Sequence, residues 1–295
     1  VQKTFTQPLS DTLAMHGSLP RLVIDHPRCK GEIFVSGAHV TEWQPAGHEP
    51  VLFLSPKSLF APGTPIRGGV PICFPWFGPH SSGHTDMPAH GFARTLPWVP
   101  MNHSSDEQGV RVHMQLASQP PQGERSGNEF VVDYHLLFGD VLEMKMIVTN
   151  TGQNPFDFES ALHTYFRVSD VRHITIAGLK ETQYVSKSEG MVRKTQADEL
   201  IRLEGETDRV YLNTTSTCTI DDPGMSRRII VEKIGSQSTV IWNPSERRAS
   251  ELKDLGSENW TGFVCIETAN VAENLIKLAP GAKHELAQLV RVEKT

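Results

Sequence analysis

The sequence is short of cysteine, short of positive charge and without a long apolar run, and each shortage removes a class of protein. Its four cysteines, Cys29, Cys73, Cys218 and Cys265, form no CxxC pair and are too few for a disulfide scaffold in 295 residues. The expectation is reduced, mostly buried thiols in a cytoplasmic protein. Lys and Arg number 28 against 34 Asp and Glu, a net charge of −6. Nucleic-acid binding needs a basic face, so no nucleic-acid partner is expected. An anionic small molecule stays open, because screening over roughly 8 Å lets a few local arginines outweigh a distant net charge. No apolar stretch approaches the roughly 18 residues that span a bilayer. The first residues also lack the basic and apolar segments of a secretion signal. No membrane partner is expected either. Common cofactor and hydrolase motifs are missing: there is no GxSxG elbow, no GxxxxGKS or GxxxxGKT loop, no GxGxxG after a strand and no HExxH helix.

Helical periodicity is scarce as well. One segment, Ser245–Leu255, spaces Ala249, Leu252 and Leu255 by three and meets a stop signal at Gly256. What the chain has in quantity is alternation of apolar and polar residues, the mark of half-buried strands. It is clearest in Val110–Leu116, Phe130–Leu136 and Leu142–Val148. The last two are joined through Gly139-Asp140, where a glycine of positive φ would make a β-hairpin. Shorter strands are expected at Ile174–Ala177, Ile229–Glu232, Thr239–Trp242, Phe263–Thr268 and Leu286–Val292, the last after a Pro280-Gly281 turn. Gln119–Asn128 reads as a surface loop, not a linker, because strands of one character flank it. The expectation is a single all-β domain over residues 1–295, a large antiparallel β-sandwich.

Three segments could carry chemistry. Residues 62–98 are dense in Gly and Pro yet hold aromatic residues that a linker would avoid, and loops of fixed geometry are where sites are built. This loop supplies Arg67, Arg94, His80, His84 and His90. The ordinary fate of such an arginine is a surface ion pair, and of such a histidine a structural hydrogen bond. His80, His84, Asp86 and His90 could ligate a metal by residue type. Their spacing matches no metal motif, so no metal site is expected. If Phe156–Phe166 is a strand, His163 shares a face with Ala161 and Tyr165. An imidazole there suits proton transfer at neutral pH, although a satisfied core histidine is the commoner outcome. In Phe263–Thr268, alternation puts Glu267 on the face of Phe263 and Cys265. An unpaired buried carboxylate is costly, so Glu267 sits at a wet strand end or is positioned for a task.

Six segments, in order, resemble one family: PIRGGVPICFPWFGP (65–79), AHGFAR (89–94), ALHTYF (161–166), GETDRVY (205–211), WNP (242–244) and CIETANV (265–271). Together they are similar to the galactose-mutarotase-like superfamily and, within it, to the hexose-6-phosphate mutarotases. The resemblance implies a β-supersandwich of stacked antiparallel sheets with a cleft on one face. It implies an isomerase that interconverts the α and β anomers of a hexose 6-phosphate, glucose 6-phosphate first, by opening and reclosing the ring at C1. No cofactor is implied, and the partner is the small sugar phosphate. The base role falls to Glu267 and the acid role to His163, charged as carboxylate and imidazolium after modest shifts from about 4.3 and 6.5. Arg67 and Arg94 would clamp the phosphate. His90 and Asp208 would hydrogen-bond sugar hydroxyls, and Trp76 or Phe77 would stack on the pyranose. Trp76 departs from the pattern, since some relatives carry glutamine there. A monomer is the default expectation. A mutarotase for unphosphorylated aldoses and a non-catalytic sugar-phosphate-binding protein are the alternatives.

Overall fold

Alternation builds the sheets as the sequence implies. In Gly109–Ala117 and Phe130–Gly139, Val112, Met114, Val132, Tyr134 and Leu136 turn into the core. Arg111, His113, Gln115, Asp133 and His135 take the opposite face. A computed structural model describes residues 5–7, 13–80, 87–118 and 128–295. Most of the expected 119–128 loop, together with His84 and Asp86, lies outside the described residues.

Among the described residues, nine strands form one antiparallel sheet. Their order is Phe5–Gln7, Val99–Asp106, Gly109–Ala117, Phe130–Gly139, Leu142–Asn150, Lys283–Lys294, Arg227–Ile234, Cys218–Asp222 and Thr175–Ala177. A second sheet runs Val192–Thr195, Gln183–Ser186, Thr207–Leu212, Ser238–Asn243, Phe263–Asn270, Ser160–Leu162 and Ile72–Cys73, with Tyr165–Arg167 also paired to Phe263–Asn270. Ala14–His16, Leu19–His26, Cys29–Phe34 and His39–Pro45 make a third. One contiguous apolar cluster joins all three: Ile33 and Trp43 from the third, Met114 and Tyr134 from the first, Leu162 and Ile266 from the second. This is the expected stack of antiparallel sheets.

Two local expectations are corrected. The hairpin at Gly139-Asp140 is present, with Phe138 opposite Leu142, but Gly139 is not in the left-handed region. Glycine is needed there because a Cβ would stand 2.4 Å from the Gln108 carbonyl oxygen. The helix spans Ser245–Glu251, ending short of Leu255 because Leu252 is extended, with φ −93° and ψ 93°. All four cysteines are free and buried. No helix of the described residues is long and apolar enough to cross a membrane.

The sandwich presents the second sheet's outer face to a long loop. In Phe263–Asn270 every residue is buried. Val264 and Ile266 join the core between the sheets, whereas Phe263 and Cys265 pack in a separate cluster on the other side. Glu267 follows Phe263 and Cys265 by parity, in mid-strand instead of at a wet end. Above this face, the loop from Phe74 to Gly91 is pinned at its base: Phe74 N–H donates to the His90 carbonyl at 3.3 Å, and Phe92 N–H to the Phe74 carbonyl at 3.0 Å. Gly91 sits at φ +72°, where an added Cβ would come within 2.0 Å of the Phe74 oxygen. Gly91→Ala should therefore cost about 2 kcal/mol or more of stability in urea unfolding, through left-handed strain plus the clash. A cost below about 0.5 kcal/mol, typical of an ordinary surface position, would contradict this pinning.

Candidate active site

Glu267 and His163 meet at the floor of a cleft of about 560 Å³. His163 Nε2 stands 3.4 Å from Glu267 Oε1. Among the described residues, His163 Nδ1 and Glu267 Oε2 have no hydrogen-bond partner, although both atoms are buried. The histidine lies in the gap between two short strands, Ser160–Leu162 and Tyr165–Arg167, not within one continuous strand. Its N–H donates to the Pro71 carbonyl at 3.0 Å, and its ring stacks on Tyr165 at 4.9 Å.

The two residues are tied from behind by the other sheet. Gln288 accepts from Thr164 Oγ1 at 2.5 Å, and its amide donates to Thr268 Oγ1 at 2.9 Å. Thr164 follows His163 and Thr268 follows Glu267. One buried amide thus links the neighbours of both groups, in a setting where satisfied polar networks rigidify a core.

Burial drives both groups toward their neutral forms. It holds the His163 imidazole well below the ordinary 6.5, and the nearby His90, Arg94 and Arg67 add to the effect. It holds the Glu267 carboxyl well above 4.5, with Asp208 adding to the effect and Lys187 and Arg94 opposing it. Both effects oppose the expected carboxylate–imidazolium state. Both shifts run in the direction of the uncharged forms, because a dry site disfavours either charge.

His90, Phe77, Asp208, Arg67 and Arg94 line the same cleft. The His90 Nδ1 accepts the Gly78 N–H at 3.4 Å and lies 3.4 Å from Cys73 Sγ, leaving Nε2 as the N–H donor. Burial, with Arg94, Lys187 and Arg67 behind it, lowers His90 to about 3, so it is a neutral donor. Asp208 stands opposite Trp242 on the neighbouring strand and is half-buried. Phe77 is held by its N–H, which donates to Glu159 Oε2 at 2.9 Å. Arg94 donates to the Ala89 carbonyl at 2.8 Å and has a buried Nε with no partner among the described residues. No carboxylate among the described residues pairs with it. Arg67 differs: its guanidinium meets Asp254 and the Tyr165 hydroxyl, each at 3.1 Å. The arginine charge expected to be open there is already balanced.

Trp76 is corrected. It does not line the cleft; it is buried in the core, donating Nε1–H to the Pro88 carbonyl at 2.9 Å and packing edge-on against Phe92. Trp242 lines the cleft instead and was legible by alternation, being opposite Cys265 in register. Lys187, with Nζ 4.6 Å from the Phe77 ring centre, and Arg247 and Arg248 on the rim also line it. No local pattern marks these three. Of the histidine-rich loop, His80 packs against Trp76, and His90 turns into the cleft.

The neutral histidine is open to test. His163 resonances should show no titration between about pH 6 and 8, since its lowered value keeps the ring neutral throughout that range. A midpoint at or above 6.5 in the NMR titration would contradict the burial argument.

The chain matches the family model described as aldose 1-epimerase over residues 20–291. It is 35% identical over 276 residues to an Escherichia coli K12 protein named "Putative glucose-6-phosphate 1-epimerase", covering 94% of this chain and 91% of that protein. A Cenchrus ciliaris protein of the same name is 32% identical over 289 residues, covering 93% and 85%. Among solved structures, "a putative mutarotase" from Salmonella typhimurium superposes with a TM-score of 0.90 at 32% identity, over 99% of this chain and 97% of the other. The strand-rich sandwich, its cleft and these matches agree: the chain belongs to the aldose 1-epimerase family and is an isomerase.

Proposed function

We propose that this enzyme interconverts the α and β anomers of hexose 6-phosphates, glucose 6-phosphate first, as one domain of a cytoplasmic protein. The carrying observation is the pairing in one cleft of a buried acid–base couple with an arginine that no carboxylate among the described residues balances. A neutral sugar gives that guanidinium nothing to neutralise it, whereas a phosphate dianion does. The net charge of −6 and the four free thiols suit a small-molecule substrate and a reducing compartment.

In the reaction, the sugar lies with its phosphate at Arg94 and Lys187 and its C1 edge at His163 and Glu267. Phe77 and Trp242 offer ring faces, while neutral His90 and Asp208 meet hydroxyls. Glu267, pushed by burial toward its neutral form, first passes its proton to His163. The Glu267 carboxylate then takes the O1 proton, the freed electron pair forms the C1=O1 carbonyl, and the C1–O5 bond breaks. O5 takes the proton from His163. Rotation about C1–C2 exposes the other carbonyl face, and the transfers reverse on closure. The phosphate assists the acid: its charge opposes the Arg94 and Arg67 charges that help hold His163 down. Arg67, balanced by Asp254, supplies hydrogen bonds more than net charge.

Glu267→Gln should lower kcat by about 10²–10⁴, the usual size of an acid–base contribution. The same variant should gain stability over wild type as pH rises. The raised Glu267 value means that the folded state keeps a proton the unfolded chain releases near 4.5, so its contribution is full below that pH and is lost above it. Near-full activity would remove Glu267 from the base role, and a stability difference independent of pH would contradict its raised value. Arg94→Ala should raise KM for glucose 6-phosphate roughly tenfold or more, the loss of one charge-assisted contact, while barely changing KM for glucose. Equal effects on both sugars would overturn the phosphate assignment.

A further inference from the structure

Across the sandwich from the cleft, three ligand-type side chains converge on the solvent face of the nine-stranded sheet. His113 stands directly opposite His135 in register, and Asp133 precedes His135 by two residues on the same face. The two rings stack with centres 4.2 Å apart at 16°. His113 Nε2 lies 2.8 Å from Asp133 Oδ1, and Gln115 Nε2 donates to that oxygen at 2.9 Å. One donor atom from each of His113, Asp133 and His135 lies within 4.8 Å of the others. Both imidazoles line a groove of about 460 Å³ and are half-buried.

The surroundings suit a cation better than two protons. Stacked imidazoles repel when both are charged, whereas one shared cation between them leaves both rings neutral. Neutral imidazole is the form that ligates a metal. Lys145, opposite His135 in register, is paired with Glu285 at 3.9 Å, which offsets the nearest positive charge. Gln115 holds Asp133 in the way that outer hydrogen bonds hold metal-ligating carboxylates.

We propose that His113, Asp133 and His135 bind one divalent cation of the Zn²⁺, Ni²⁺ or Cu²⁺ kind. Two nitrogens and one carboxylate oxygen suit those ions better than Mg²⁺ or Ca²⁺, and a fourth position is left for water. Ligands at about 2.0–2.1 Å from a tetrahedral ion stand roughly 3.3 Å apart. Side-chain rotation on this half-buried face closes the set without moving the strands. The ion would act as a cross-strand tie, remote from the reacting cleft.

The test is calorimetric titration of EDTA-treated, buffer-exchanged full chain with ZnCl₂. Wild type should bind one saturable equivalent. His113→Gln and His135→Gln should each weaken it by more than about 10-fold, since even outer-shell changes cost about 10–100-fold. Zn²⁺ should raise the thermal midpoint of wild type but not of the variants, as an ion that binds the folded state alone must. Activity in EDTA should be equal in all three. No saturable equivalent, or equal binding by the variants through other histidines, would overturn the proposal.

Discussion

A carboxyl and an imidazole, buried side by side with no partner among the described residues for their remaining atoms, set the terms for everything around them. Taking an unbalanced charge out of water costs several kcal/mol per ion, so burial pushes both members of the couple toward their uncharged forms. Yet the cations placed around it are not symmetric in effect. Arg94 opposes charge on the imidazole and supports it on the carboxyl, while Asp208 discourages the carboxylate. A ligand that brings negative charge to Arg94 therefore changes the balance within the couple. On the proposed reading, the substrate's own phosphate helps prepare the acid that opens its ring, and preorganised charge in a dry site does more than the same charge in water.

Such a couple works only if its spacing is held. His163 and Glu267 belong to paired segments of one sheet, with Tyr165 opposite Cys265 and Leu162 opposite Thr268. The break in the strand at His163 lets its N–H reach the Pro71 carbonyl, outside the regular ladder. Gln288, reaching from the other sheet, then ties Thr164 to Thr268. The stacking of sheets is thus part of the site's geometry, because the amide that links the couple's neighbours comes from the opposite layer.

Much of this was legible in the sequence, and the misses have physical reasons. Strict alternation located Gly109–Ala117, Phe130–Gly139 and Leu142–Asn150, and parity put Glu267 with Phe263 and Cys265. The N-terminal sheet escaped because Cys29–Phe34 is buried on almost every residue, which hides a period of two. Trp76 was misplaced because a Pro-rich loop has no periodicity to tell its core side from its cleft side. The state of Arg67 depends on Asp254, far along the chain, and no local pattern announces that pair. Lys187 enters the cleft from the end of a short strand for the same reason. The direction in which burial pushes His163 and Glu267 could not be read from reference values, since burial depends on the whole fold and not on the flanking residues.

The most direct measurement is NMR exchange between the α and β anomers of glucose 6-phosphate and of glucose, at catalytic amounts of wild-type enzyme. The account predicts strong acceleration for the phosphorylated sugar and far weaker acceleration for the free one. Equal acceleration of both would contradict the role given to the phosphate, and acceleration of neither would contradict the proposed reaction itself.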